Sequence, residues 1–320
     1  MEYCPDEVLK EIIKYVNIKT VGILAQVSQK YHKITHGYWW ANFKQYLTPE
    51  NVGYLTIDSF TQEYPLDVVN AHKKDSQIKF VEEGHLYFIY NEDGTLSELD
   101  RISVTTLIHH CFPQFDADGC ITKMMASKNW PSSKYFGMTR EQIKLKWETD
   151  GNKAAKDGTY GHFNAELTIN GIMVINSSIR HQYFLAFWHD FREKYPQFKP
   201  YRTEQTVFYE HFGAKNLNLC GSIDLQMEDN DGNTILIDHK YSKEIKKSNR
   251  YEKGLPPFDH MDNCNYSHYT LQLNIYRHIL ETKYDKNVIF MMLTVYHENN
   301  PTYQCIEVPY IDLNDVWDTL

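Results

Sequence analysis

Apolar positions in the first 47 residues recur at helical spacing. Val8, Leu9, Ile12, Ile13 and Val16 fall at i, i+1, i+4, i+5 and i+8, which predicts an amphipathic helix. Val21, Leu24, Ala25, Val27 and Ser28 predict a second helix, and Trp39, Trp40, Phe43 and Leu47 a third. Pro5, Asp6 and Glu7 suit the start of the first, because carboxylates favour the positive end of a helix dipole. Residues 49–76 are mixed and polar and read as a linker with one short helix.

Beyond residue 77 the pattern changes. Residues 79–81 and 85–90 predict a β-hairpin, with a further turn over 91–94, and a helix opens at 103–108. Residues 123–156 read as largely helical and carry eight Lys or Arg, a pattern equally suited to a solvated helix face. Residues 202–209 predict a strand, and 269–277 a helical stripe. The long apolar run over 288–296 predicts a buried strand, with 305–308 as a pairing partner.

Composition narrows the class. A chain of 320 residues can hold two domains, or one large domain with an appendage. The formal charge of -9 argues against a protein that coats nucleic acid nonspecifically, although local basic tracks can still act. Six scattered cysteines without a C-x-x-C pair fit a reducing compartment and neither a disulfide framework nor a zinc finger. No apolar run approaches the roughly 20 residues that span a bilayer. The acidic start lacks an apolar signal core. The expectation is a soluble, intracellular protein with no membrane partner.

The chemistry concentrates in one hairpin. Asp224 stands in Gly-Ser-Ile-Asp-Leu, and Asp238 and Lys240 in Ile-Leu-Ile-Asp-His-Lys, with the turn-forming residues 228–233 between them. Strand alternation puts Asp238 and Lys240 on one face and His239 on the other. The hairpin folds Asp224 back beside them. Two carboxylates and an ammonium at the end of an apolar sheet are costly unless a cation or a phosphate balances them. Upstream, His162 and Glu166 lie four apart after Gly158-Thr159-Tyr160-Gly161, and share a face if helical. Glu204 either lines the same site or balances Lys240 or Arg202. Gln272 and Tyr276 are again four apart. Six cations follow the active strand within fourteen residues: Lys240, Lys243, Lys246, Lys247, Arg250 and Lys253. They read either as a mobile loop tracking a phosphate backbone or as a solvated surface loop.

Two resemblances organise these motifs. Pro5-Asp6-Glu7-Val8-Leu9, Leu24-Ala25-Gln26-Val27-Ser28, Tyr31 and Trp39 or Trp40 resemble an F-box, which implies binding of a Skp-type adaptor of a cullin ubiquitin ligase through residues 5–47. The alternative for these helices is a cap on the main domain. Gly158-Thr159-x-x-His162, Glu204, Gly221-Ser222-Ile223-Asp224-Leu225, Asp238-His239-Lys240 and Gln272-x-x-x-Tyr276 resemble, in order and spacing, RecB-type nucleases of the PD-(D/E)XK superfamily.

That second resemblance implies an α/β fold, a restriction-endonuclease-like core with a central mixed sheet flanked by helices. Its domains would be an F-box-like helical unit over 1–48, a linker over 49–76 and a nuclease domain over 77–320. It implies Mg²⁺ or Mn²⁺ on His162, Asp224 and Asp238, with the backbone carbonyl of His239 assisting. Glu166 and Glu204 would support a second metal, and Lys240 would orient the attacking water. Gln272 and Tyr276 would set a helix against the active strand and the nucleic-acid backbone. No iron–sulfur cluster is expected, because the four-cysteine set is missing. The implied activity is metal-dependent hydrolysis of DNA, as an exonuclease or end-processing enzyme of replication, recombination or repair. The alternatives are RNA cleavage, or a ubiquitin-ligase adaptor that uses the nuclease-like domain to capture substrate. An F-box-like head would place the protein in the nucleus or cytoplasm of a eukaryotic or virus-infected cell.

Overall fold

The computed structural model describes residues 66–81, 84–171, 174, 178–317 and 320. The F-box-like unit over 1–48 and the first part of the 49–76 linker lie outside these residues. The described chain opens with a single helical turn, α1 (Leu66–Val69), whose Leu66 amide donates to Asn170 Oδ1 at 3.1 Å. The expected hairpin follows as β1 (Ile78–Val81) and β2 (Leu86–Ile89), paired antiparallel. After a short strand, β3 (Arg101–Ser103), Ser103 caps α2 (Val104–Cys111) by accepting from the Thr106 amide at 3.0 Å.

The largely helical stretch expected over 123–156 is divided between two helices. α3 (Ala117–Met125) stops, Pro131 lies in a 3₁₀ turn (Trp130–Ser132), and Gly137 takes φ 84°. Proline cannot extend a helix, and a left-handed glycine reverses the chain. α4 (Arg140–Ile169) then restarts under a capping box formed by Thr139 and Gln142. It runs for 30 residues, straight through Gly158 and Gly161. α5 (Ile179–Lys194) follows, capped by Ser178.

The main sheet has six strands: β3, β4 (Lys199–Phe212), β5 (Leu217–Glu228), β6 (Asn233–Lys240), β7 (Asn287–Val295) and β8 (Gln304–Glu307). It is mixed, since β3–β5 and β6–β7 are parallel and the other pairs antiparallel. β4 runs along the whole of β5, from Lys199↔Glu228 to Phe212↔Leu217. A strand has only two edges, so β3 and β6 must share the other one. β3 takes Asn218–Cys220 and β6 takes Leu225–Glu228. Residues 221–224 are left in the fork between them.

Helices cover both faces. Leu236, Met291 and Leu293 pack with α2 and with α6 (Asn265–Lys283), in a cluster that includes Leu107, Leu271 and Ile279. The alternate residues Ile235, Ile237 and Met292 pack with Phe184, Phe187 and Phe191 of α5 and Ala165 of α4. The two-residue period of β6 and β7 therefore sorts one strand pair between two cores. α7 (Asn314–Trp317) closes the first core with Trp317. Among the described residues, no helix is long and apolar enough to cross a membrane.

Candidate metal and catalytic site

The fork in β5 is where the charged residues meet. Asp224 lies at its inner end, and its Oδ2 accepts the amide of His239 at 2.7 Å, taking the place of a ladder hydrogen bond. From α4, His162 brings Nδ1 to 3.3 Å from Asp224 Oδ2 and 3.5 Å from Glu204 Oε1. His162, Glu204 and Asp224 thus form a group that could hold a metal ion, with ligand atoms all within 4.8 Å of one another. Glu204 stands on β4 between Thr203↔Leu225 and Gln205↔Ile223, directly across from Asp224. Its φ is 44°, a left-handed conformation inside a strand that a non-glycine residue adopts only at a cost of about 1–3 kcal/mol. Ser222 Oγ donates to its other oxygen at 3.3 Å.

Glu204 does not balance Arg202, whose guanidinium is bound to Asp75 Oδ2 at 2.7 Å and the Asn70 carbonyl at 3.1 Å. Nor does it balance Lys240. Lys240 Nζ lies 2.6 Å from Asp238 Oδ2, 3.5 Å from Gln272 Oε1 and 4.2 Å from the centre of the Tyr269 ring. Asp238 and Lys240 share the face of β6 that meets α6. His239 points the other way, with Nδ1 2.8 Å from Thr294 Oγ1 and its ring among Phe184, Phe187 and Tyr296. The site therefore has two halves: a His–Glu–Asp group on the α4 side and an Asp–Lys pair on the α6 side.

Electrostatics follow from this crowding. Burial works against the His162 proton, but Asp224 and then Glu204 outweigh it and raise its pKa to about 9. Burial raises Asp224, with His162 pulling in the opposite direction. Burial likewise lifts Asp238 to about 6, against the pull of Lys240. Lys240 loses hydration, yet Asp238 and Asp224 hold its pKa above the ordinary value, so it stays an ammonium. His239 is driven well down, first by burial and then by His162 and Lys240, so its ring is neutral.

Sequence order misses part of this arrangement. Asp238 was expected beside His162 and Asp224 as a ligand. Its carboxylate instead engages Lys240, because β6 turns that residue toward α6. Glu204 takes the third place in the group. The backbone of His239, expected to lend its carbonyl, is pinned to Asp224 through its amide. Glu166 sits one turn beyond His162 on α4, outside the group, and its carbonyl accepts the Asn170 amide.

Gln272 Oε1 lies 3.5 Å from Lys240 Nζ, and Tyr276 does not reach solvent. It is 3% exposed and lies over Gly221, where an added Cβ would stand 2.6 Å from its Oη. A buried ring of that size is a packing element, and contact with a nucleic-acid backbone is closed to it. The basic segment after β6 has no helix or strand, yet it is tied down. Ile245 and Phe258 are buried, the Lys246 amide donates to Asn265 Oδ1 at 2.7 Å, and Lys253 is paired with Asp262. Lys243, Lys246, Lys247 and Arg250 remain exposed.

No family model matches the chain. No curated protein matches it either. Among solved structures, one titled "Crystal structure of SSO0001" aligns with 69% of this chain and 72% of that one, at 14% identity and a TM-score of 0.28. So loose a superposition carries no argument about this chain.

Proposed function

We propose that this chain is a metal-dependent nuclease with a PD-(D/E)XK-type core, hydrolysing DNA phosphodiester bonds at or near strand ends. The observation that carries the reading is the convergence of His162, Glu204 and Asp224 on one point at the β5 fork, beside the Asp238–Lys240 pair. Two carboxylates and one imidazole suit a hard divalent ion such as Mg²⁺ or Mn²⁺. Without an ion, the proton on His162 stands between the two acids and offsets one of their two charges. A bound divalent cation supplies an activated water and offsets charge on the phosphate. Lys240, kept protonated and held by Asp238 and Gln272, presents a fixed positive charge to the phosphate. Lys243, Lys246, Lys247 and Arg250 extend positive charge along the adjacent surface, where a phosphate backbone would lie.

The test is cleavage of end-labelled single-stranded, blunt, flapped and circular DNA, and of RNA, with Mg²⁺ or Mn²⁺ and with chelator. Linear DNA should be cut only with metal, circular DNA should resist, and Asp224→Asn should be inactive while remaining folded. Full activity in chelator, or in Asp224→Asn, would sink the proposal. A preference for RNA would move the substrate and leave the site assignment in place.

A further inference from the structure

At the outer end of α4, apolar side chains gather on the surface instead of in a core. Phe115 is 72% exposed, Phe136 58% and Leu145 63%. The aromatic rings form a connected group. Phe115 lies 5.7 Å from Trp147, and Trp147 lies 5.9 Å from Tyr135, to whose hydroxyl its Nε1 donates at 2.8 Å. Phe136, next in the chain, lies 5.9 Å from Trp130. Exposed apolar patches of this kind mark contact surfaces.

Charge decides the kind of partner. The chain carries 42 Asp or Glu against 33 Lys or Arg, but residues 115–156 reverse that balance, with eight Lys or Arg against five Asp or Glu. Lys144 and Lys146 are paired with Asp118 and Asp150. Lys123, Lys128, Lys134, Lys153 and Lys156 are exposed and make no ion pair among the described residues. A solvated helix face accounts for the lysines but not for the rings. Rings interleaved with unpaired ammoniums suit a polyanion that also offers flat apolar faces. Single-stranded DNA is such a polyanion, because its bases stack on aromatic side chains and its phosphates attract lysine. A duplex keeps those faces inside its own stack.

The geometry of α4 connects this patch to the metal-binding group. Trp147 and His162 are fifteen residues apart, just over four turns, so both project to the same side of the helix about 22 Å from one another. Between them that side carries Gly151, Ala155 and Gly158. An added Cβ at either glycine would meet nothing, so packing within the described residues does not require them. Glycine inside a helix is destabilising, yet here it leaves the surface flat. At the inner end the His162 and Glu204 side chains are 28% and 34% exposed, so the group opens to solvent. A stacked strand advances about 3.4 Å per nucleotide, and about seven nucleotides would cover the interval.

We infer that the outer arm of α4, with the segment from Phe115 to Phe136, is a landing surface for single-stranded DNA. Bases stack on Phe115 and Phe136, lysines hold the phosphates, and the strand follows α4 to the metal-binding group. The inference rests on the nuclease reading and gives that site a second anchoring point for its substrate.

The test uses the full chain and Phe115→Ala/Phe136→Ala, two exposed positions whose loss should leave the melting temperature unchanged. Affinity for a fluorescent 20-mer of thymidylate, read by anisotropy in Ca²⁺, should fall at least about tenfold in the variant. Affinity for a 4-mer, too short to span the interval, should not change. In Mg²⁺, KM for the 20-mer should rise by the same factor while kcat holds. Equal affinity of both proteins for the 20-mer would overturn the surface and leave the nuclease reading standing. So would a wild-type dimer that the variant dissociates with strand binding unchanged, because the patch would then join two copies. If the chain cuts no DNA, the nuclease reading fails and anisotropy judges the surface alone. A tenfold loss in the variant would support it, and no binding of the 20-mer by the wild type up to about 100 µM would overturn it.

Discussion

Lys240 Nζ sits 2.6 Å from Asp238 Oδ2, two residues along the same strand face, with both side chains largely shut away from water. Removing one partner of a buried pair leaves the other uncompensated, at a cost of about 3–5 kcal/mol. Lys240→Met should therefore destabilise the fold by about that amount at pH 8. Asp238 has a folded pKa of about 6, raised from its ordinary value, so protonation relieves it at low pH. The loss should shrink at pH 5, as read by denaturant unfolding at the two values. Equal losses would mean that the pair is not what Lys240 stabilises. Metal-dependent cleavage should fall by at least about a hundredfold.

His162 predicts a proton-coupled metal affinity. Its pKa of about 9 lies above the ordinary histidine value, so the metal-free fold gains stability from the proton below about pH 6.5 and loses it as pH rises through 9. A metal must displace that proton. Mn²⁺ affinity should rise by nearly tenfold per pH unit between about 6.5 and 9, with about one proton released per ion. Calorimetry in buffers of different ionisation enthalpy counts that proton. In His162→Gln both the slope and the proton should disappear.

At Glu204 the left-handed backbone reverses a general preference. Within strands alanine is better than glycine by roughly 0.5–1 kcal/mol. Glu204→Ala and Glu204→Gly both remove the carboxylate, but only glycine relaxes φ 44°. The glycine variant should be the more stable of the two by about 1 kcal/mol, and both should bind Mn²⁺ more weakly than the wild type. A more stable alanine variant would show that the backbone there is unstrained.

Gly221 tests the support beneath the site. A methyl group there would stand 2.6 Å from Tyr276 Oη and 2.7 Å from its ring, in a fully packed core. Gly221→Ala should cost about 1–3 kcal/mol. It should also lower kcat more than it raises KM, because α6 carries both Tyr276 and Gln272. Thermal melting and steady-state cleavage read the two effects.

The exposed cations after β6 predict a salt signature. Replacing Lys243, Lys246, Lys247 and Arg250 with alanine should reduce the slope of log affinity against log salt for single-stranded DNA by about 3. Lys253 is left out because Asp262 already neutralises it. An unchanged slope, measured by fluorescence anisotropy in Ca²⁺, would make this segment a solvated surface only.

Much of the architecture was legible. The β1–β2 hairpin, β4 and the Asp224…Asp238 hairpin follow from alternation and turn chemistry, and so does the buried strand β7 with β8 beside it. α5 was passed over although Phe184, Phe187, Trp188 and Phe191 fall at i, i+3, i+4 and i+7, a stripe that could have revealed it. The break between α3 and α4 was marked by Pro131 and Gly137, and the run of lysines masked it. The site was legible as a set of residues but not as a grouping. Nothing local says that Asp238 turns to α6 while Glu204 turns to His162, because a forked sheet decides it through pairings far apart in sequence.

Between the buried Ile143 and Gly161, α4 buries no residue; beyond Gly161 it enters the core beside the sheet, carrying His162. At 1.5 Å per residue, the start of the helix stands about 33 Å from that histidine. Such a helix is a lever whose long arm carries α3 at its far end, through the buried Ile143 and the Lys144–Asp118 pair, and whose short arm ends in His162. A load on the outer arm, from a strand of substrate or from another protein, would be delivered as torque at the imidazole. The tolerance there is set by contacts of 3.3 and 3.5 Å. The outer arm would then govern turnover without touching the reacting atoms.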